Sequence, residues 1–285
     1  MIIYLNGQYL EEGEARLSPF DHGFLYGIGV FETFRLYEGK PFLFEWHMER
    51  LERAVSELKI DISLTKDDIL EVLDELLKLN QPPNGHARVR LNISAGPSAS
   101  GLSADSYKQP GVMVTMNAFD PSSIPAEKEG VVLQVRRNTP EGPLRLKSHH
   151  FLNNLYGKRE VGNDPQKEGI FLTDGGAVAE GIISNVFWTK DGCVYTPSLK
   201  TGILDGVTRR YIIERFPKMG VEVRQGEYPL EHLLRADEAW MTNSVQEIVP
   251  FRKIGNALFP GKDGSLTKSL QEVYTNDRQR NKDYY

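Results

Sequence analysis

The stretch Arg145-Leu146-Lys147-Ser148-His149-His150-Phe151-Leu152-Asn153-Asn154-Leu155-Tyr156-Gly157-Lys158-Arg159-Glu160 sets one lysine between two kinds of local structure. Leu144-Arg145-Leu146 reads as a short strand. The residues after it read as an amphipathic helix over 148–160 that Ser148 caps. A lysine at such a junction lies near the positive end of the helix dipole, which disfavours its ammonium form. A catalytic amine requires that direction, although a lysine taken alone is, on composition, a solvated surface charge.

Upstream, Asn6-Gly7 between two short apolar runs predicts a hairpin with a type I′ turn. A Gly-rich segment, Asp21 to Gly29, leads into a strand from Val30 to Tyr37, on which Phe31 and Thr33 share a face. Glu38-Gly39 turns the chain and Pro41 to Phe44 returns. Leu51, Ala54, Val55 and Leu58 recur at helical spacing within 45–59. A second helix is expected from Asp67 to Leu79, capped by Thr65 with Asp68 and ended by Pro82-Pro83-Asn84-Gly85. Strands over 86–94 and 111–119 flank the small-residue loop 95–105. The polar, proline-punctuated run 120–130 reads as an interdomain linker.

Downstream, short strands are expected at 131–137, 168–174, 181–189 and 193–197, with a helix over 207–216. A short helix from about Leu266 gives way to a polar, frayed tail over 275–285. The whole reads as α+β in two domains: 1–118, an interdomain linker at 119–130, and a β-rich domain over 131–285.

The bulk numbers narrow the function classes. In 285 residues, 34 Lys and Arg stand against 39 Asp and Glu, a net charge of −5 without a basic run, so a nucleic-acid footprint is not expected. No apolar run approaches the roughly 20 residues that cross a bilayer. The opening MIIYLNGQYLEEG lacks the basic n-region of a signal peptide, so a soluble cytoplasmic protein is expected. The one cysteine, Cys193, reads as a small buried hydrophobe. His22, His47, His149 and His150 lack the ligand spacing of a metal site, so no metal is expected. His47 reads as a structural neighbour of Arg50, and His149 and His150 as packing or pocket-wall residues.

Four further motifs accompany Lys147: SPFDHGFLYGIGVFETFR at 18–35 with HMERLERA at 47–54, then GAVAEGIISNVFW at 176–188, TGILDGVTRR at 201–210 and WMTNSVQEIVP at 240–250. In this order and spacing the chain resembles, over nearly its whole length, the fold-type IV pyridoxal-phosphate enzymes. That family holds the branched-chain and D-amino-acid aminotransferases and the aminodeoxychorismate lyases. The resemblance implies a smaller α/β N-terminal domain, a β-rich pseudo-barrel C-terminal domain, pyridoxal 5′-phosphate as cofactor and a homodimer. It implies Lys147 as the Schiff-base lysine and Glu180 as the acid that holds the pyridine nitrogen protonated, making the ring an electron sink. Arg50 matches the phosphate-binding arginine. Val207 and Thr208 match the amides and hydroxyl that receive the phosphate, in agreement with the unpaired N–H groups of a helix that follows Gly206. Ser244 matches a second hydroxyl contact to the phosphate, and Phe31 and Thr33 line the substrate pocket. Read singly, Arg50 is a solvated helix charge, Glu180 a turn acid, Ser244 a loop serine and Phe31 a core residue.

The family does both amino transfer and elimination, so the fold leaves the reaction open. The D-amino-acid transaminases carry an arginine and a histidine in the loop after the second-last strand of the first domain; here 95–105 contains neither. With RRNTPEGPLRLKSHHFLNN at 136–154 and the MTNS segment, the wording is most similar to the lyases. The expected reaction is elimination from 4-amino-4-deoxychorismate, giving 4-aminobenzoate and pyruvate for folate biosynthesis. A D-amino-acid or branched-chain transaminase is the alternative, dual activity is a third reading, and a cofactor-free binding protein is opposed by Lys147, Glu180 and Arg50 together. Arg88, Arg90 and Arg137 stand as alternatives for holding the substrate's carboxylates.

Overall fold

The computed structural model describes residues 1–98, 101–102 and 104–280. The chain forms two compact units. One comprises Met1–Pro121, Leu146–His150 and Arg278–Tyr285; the other comprises Ser122–Arg145 and Phe151–Asp277. Among the described residues no helix is long and apolar enough to cross a membrane.

The first unit contains β1 (Ile2–Leu5), β2 (Gln8–Glu11), α1 (His22–Tyr26), β3 (Gly29–Tyr37), β4 (Lys40–Pro41), α2 (Phe44–Glu57), α3 (Lys66–Asn80), β5 (Ala87–Ser94) and β6 (Gly111–Ala118). Its six strands form an antiparallel sheet in the order β2-β1-β6-β5-β3-β4. Asn6 and Gly7 take positive φ of 48° and 89°, as the expected hairpin turn demands. The Thr65–Asp68 capping box opens α3. Val30, Phe34 and Leu36 of β3 join Val89, Leu91 and Ile93 of β5 in the core, against Met48, Leu51 and Val55 of α2 and Leu73 and Leu76 of α3. Burying each such aliphatic side chain stabilises the unit by about 1.5–3 kcal/mol. Period-two alternation then turns Phe31 and Thr33 to the other face of the sheet.

Residues 147–149 run alongside the start of β3. The Phe31 amide donates to the Lys147 carbonyl at 2.9 Å, the His149 amide donates to the Gly29 carbonyl at 3.0 Å, and Ser148 bridges Val30. These bonds hold the lysine segment extended, which corrects two expectations. The helix begins at Leu152 rather than at 148, with Phe151 at the N-cap position and no side-chain cap hydrogen bond, so Ser148 does not cap it. Lys147 therefore does not sit at a helix N-terminus, and the dipole argument for its neutral amine falls.

The second unit contains β7 (Lys128–Val132), α4 (Leu152–Val161), β8 (Lys167–Leu172), β9 (Val178–Gly181), β10 (Asn185–Lys190), β11 (Cys193–Pro197), α5 (Val207–Arg215), β12 (Val223–Gly226), α6 (Leu230–Leu234), β13 (Glu238–Asn243), β14 (Glu247–Ile254), β15 (Ala257–Leu258) and α7 (Ser265–Gln279). Eight strands run in the order β12-β11-β10-β13-β14-β7-β8-β9, and β15 adds to β14. This mixed sheet is the β-rich half of the expected α+β fold. The expected strand over 181–189 is broken at a tight turn, in which the Gly181 amide donates to the Ser184 carbonyl at 2.7 Å. The tail is ordered further than its polarity suggests. α7 continues to Gln279 because buried Asp277 accepts from the Tyr211 hydroxyl at 2.8 Å and pairs with Arg215 at 3.2 Å. Residues 281–285 of the expected frayed tail lie outside the described residues, as do 99, 100 and 103 of the loop after β5.

Candidate active site

In the first unit, the site is built on the two faces of β3. On the helix-facing side, Glu32 occupies a position in the apolar series Val30, Phe34, Leu36 and is 1% exposed. It is tolerated there because its charge is fully bonded. Arg50 Nε donates to Oε1 at 2.8 Å and Nη2 to Oε2 at 2.7 Å, while His47 Nδ1 lies 2.7 Å from Oε2. A carboxylate only accepts, so Nδ1 of His47 carries the proton in this bond. Burial pushes the Glu32 carboxyl up, but the Arg50 charge and the hydrogen bonds of Arg50 and His47 outweigh it and hold the group at about 2. Burial, with the Arg50 and Lys147 charges, holds His47 below its ordinary value against the pull of Glu32. His47 and Arg50 share one α2 face because they are three residues apart.

On the other face, the Lys147 Nζ lies 4.7 Å from the centre of the Phe31 ring. The Arg90 guanidinium lies 3.6 Å from the same centre. The His149 ring stacks on Phe31 at 6.3 Å. The structure thus sets Lys147 against Phe31, while Arg50 with its neighbour His47 lies on the helix-facing side of the same strand; Thr33 lies on the Phe31 face, opposite Arg90 in the β3–β5 register.

In the second unit, Glu180 at the end of β9 is 4% exposed. Its Oε1 accepts from Arg137 Nε at 2.8 Å, and its Oε2 accepts from the Leu204 amide at 3.0 Å and Asn185 Nδ2 at 3.4 Å. Arg137 also donates from Nη1 to Asn153 Oδ1 at 2.7 Å. Arg137, considered from sequence as a substrate-carboxylate ligand, is thus engaged with Glu180 and the α4 asparagines. Asn185 Nδ2 also donates to the Leu204 carbonyl at 2.9 Å, tying Glu180 to the loop that enters α5.

That loop ends at Gly206, the N-cap of α5, where no side chain caps the first amides. A Cβ at Gly206 would meet Asn185 Oδ1 at 2.1 Å, so only glycine lets the loop pass this close. Val207 and Thr208 open the helix, and the Thr208 hydroxyl is buried without a hydrogen-bond partner. An uncapped helix start with an orphaned buried hydroxyl suits the phosphate of a bound cofactor. The donor-bound carboxylate of Glu180 suits a protonated ring nitrogen, because its three protein donors leave a lone pair to accept one more. Ser244 lies in the turn after β13, where Asn243 Oδ1 accepts from the Val245 and Gln246 amides at 2.9 and 2.7 Å.

Sequence reasoning overlooked Glu32, Asn185 and the Leu204 amide. A charged residue in the inward register of β3 was the available signal for Glu32. Nothing local marks a backbone amide such as that of Leu204.

The chain is similar to known proteins along most of its length. A family model described as amino-transferase class IV matches residues 29–254. The aminodeoxychorismate lyase of Bacillus subtilis (strain 168) is 63% identical over 273 residues, covering 96% of this chain and 93% of that one. The solved 4-amino-4-deoxychorismate lyase from Pseudomonas aeruginosa superposes with a TM-score of 0.85 at 25% identity, covering 99% of this chain and 100% of that chain. A T.th. branched-chain amino acid aminotransferase, solved with pyridoxamine 5′-phosphate, gives a TM-score of 0.86 at 25% identity, covering 99% and 95%.

Proposed function

The chain belongs to the class IV aminotransferase family, and from that premise we propose that it is a 4-amino-4-deoxychorismate lyase with pyridoxal 5′-phosphate as cofactor. The observation that carries the reading from family to reaction is the similarity to the Bacillus subtilis lyase along almost the whole chain.

Bound pyridoxal phosphate supplies the electron sink for charge that develops beside the substrate nitrogen. In this reading Lys147 would hold the cofactor through Nζ, and as a free amine it would take the proton from the ring carbon bearing the substrate nitrogen. Glu180 holds the proton at the pyridine nitrogen, and Arg137 and Asn185 keep the carboxylate aimed. Arg50, the Val207 and Thr208 amides, the Thr208 hydroxyl and Ser244 hold the phosphate, while Phe31 and Thr33 line the substrate pocket. The enolpyruvyl C–O bond breaks, the departing group takes up a proton to become pyruvate, and the ring aromatises to 4-aminobenzoate. Atoms balance without water, and aromatisation drives the reaction. The remaining tasks of the protein are positioning and proton transfer.

The protein is expected to work in the cytoplasm, in folate biosynthesis, as a homodimer. Phe24 of α1 is 76% exposed and Leu152 of α4 is 62% exposed, apolar side chains that a second copy would cover. Light scattering at twice the chain mass supports the dimer, and a single-chain mass at micromolar concentration rejects it.

The deciding assay runs the purified holoenzyme on 4-amino-4-deoxychorismate made in situ, and in parallel on D-alanine or L-leucine with 2-oxoglutarate. Release of 4-aminobenzoate and pyruvate in equal amounts is the expected result. Glutamate formation without 4-aminobenzoate would make the protein a transaminase, the second reading, which its aminotransferase neighbours favour.

A further inference from the structure

The sequence left the substrate's carboxylates without an assigned partner, because the loop at 95–105 carries no arginine or histidine. The β3–β5 register supplies one. Phe31 pairs with Asn92, and Thr33 pairs with Arg90, so these four side chains share one sheet face. The Arg90 guanidinium lies over the Phe31 ring, 3.6 Å from its centre, and donates from Nε to Asn92 Oδ1 at 3.0 Å. Arginine only donates, so this bond fixes the Asn92 amide with its nitrogen left over. Asn92 is 8% exposed, and its Nδ2 is buried without a partner.

Among the described residues Arg90 makes no ion pair. Lys147 Nζ approaches the same Phe31 ring. Fork donors, a spare amide nitrogen and a flat aromatic wall beside the reactive amine form a set that is complementary to a planar carboxylate on a ring.

We propose that Arg90 and Asn92 form the subsite for a carboxylate of the substrate, with Phe31 as its wall. The identity of that substrate rests on the lyase reading; the anion subsite does not. The charge holds the ring end of the ligand while Lys147 works on the carbon bearing nitrogen, so the subsite controls specificity and orientation.

The test titrates the holoenzyme with 4-aminobenzoate and with 4-aminobenzamide, its neutral counterpart, reading the absorbance of the bound cofactor. Wild type should prefer the acid by at least roughly 10-fold, the value of a charge-assisted hydrogen bond. Arg90→Met should lose roughly 10- to 100-fold in acid affinity with the amide nearly unchanged, and Arg90→Lys should fall between. In the lyase assay the same variants should raise KM more than they lower kcat. Because Arg90 is an exposed strand residue, both variants should keep the wild-type melting temperature and cofactor absorbance. Arg90→Met that keeps the acid preference and KM while wild type is an active lyase overturns the subsite and leaves the lyase reading intact. An Arg90-dependent acid preference in a wild type that releases no 4-aminobenzoate supports the subsite and removes the lyase reading instead.

Discussion

Glu32 holds Arg50 by two nearly parallel hydrogen bonds of 2.8 and 2.7 Å, with both side chains buried under α2 and His47 on the same carboxylate. The pair fixes the arginine proposed for the phosphate from behind. It also places a charge in the core that survives only while both partners remain.

Glu32→Gln should therefore destabilise the protein by about 3–5 kcal/mol at neutral pH, the cost of a broken buried pair. Its carboxyl sits at about 2 in the folded protein against an ordinary 4.5. A depressed carboxyl stabilises above its unfolded value, so about 3 kcal/mol present at neutral pH is lost as pH falls from about 4.5 to about 2. Urea unfolding at pH 7 and at a series of acid values measures both. A neutral-pH loss under about 1 kcal/mol would show that the pair contributes little.

Glu168 should behave the opposite way. It is 4% exposed, and its Oε1 accepts from the Ser184 hydroxyl at 2.8 Å and the Ile183 amide at 3.4 Å. Burial pushes its carboxyl up in spite of Lys128, whose Nζ is 3.9 Å from Oε2. A raised carboxyl costs folded stability once pH passes its unfolded value, and that cost is complete above the folded value. Glu168→Gln removes this dependence, so the variant should gain on wild type as pH rises from about 4 to about 8. Paired urea titrations at the two ends check the sign, and a difference that stays flat or reverses would contradict it.

The strands and helices of the first unit were legible because alternation and turn residues agree there: Asn6-Gly7 and the Thr65–Asp68 box each specify one geometry. Lys147 and Glu180 were legible as motif positions only, and what surrounds them was not. Arg137 offered no local sign that it bonds Glu180, 43 positions away. Ser148 looked like a cap because cap residues are read from their neighbours, whereas backbone bonds from the flanking Lys147 and His149 to Phe31 and Gly29 decide its conformation. Such pairings between distant segments are set by sheet register, which a local reading does not contain.

Thr208→Val separates a phosphate role from a structural one. The hydroxyl is buried and unpartnered, so replacing it with a methyl group should leave the cofactor-free protein as stable as wild type or slightly more so. If the hydroxyl receives the phosphate, the same change should weaken pyridoxal phosphate binding roughly 10-fold. Calorimetry of the cofactor-free protein and equilibrium titration with cofactor give the two numbers. A loss of stability with unchanged cofactor affinity would remove Thr208 from the phosphate site.

Arg137→Met should be the converse of Arg90→Met. Arg137 is buried, and its guanidinium is committed to Glu180 and Asn153. Removing it breaks the closer of two buried ion pairs and leaves Glu180 only Arg145, whose Nε is 3.8 Å from Oε1, at a cost of about 3 kcal/mol. The carboxylate also loses the bond from Arg137 Nε that fixes Oε1, so the hold proposed for it on the ring nitrogen should weaken. The expected signature is a lower melting temperature, weaker cofactor binding and a fall in kcat, with the preference for 4-aminobenzoate over its amide kept. Loss of that preference, with stability and cofactor absorbance intact, would move the carboxylate ligand from Arg90 to Arg137 and undo the division of labour drawn between the two arginines.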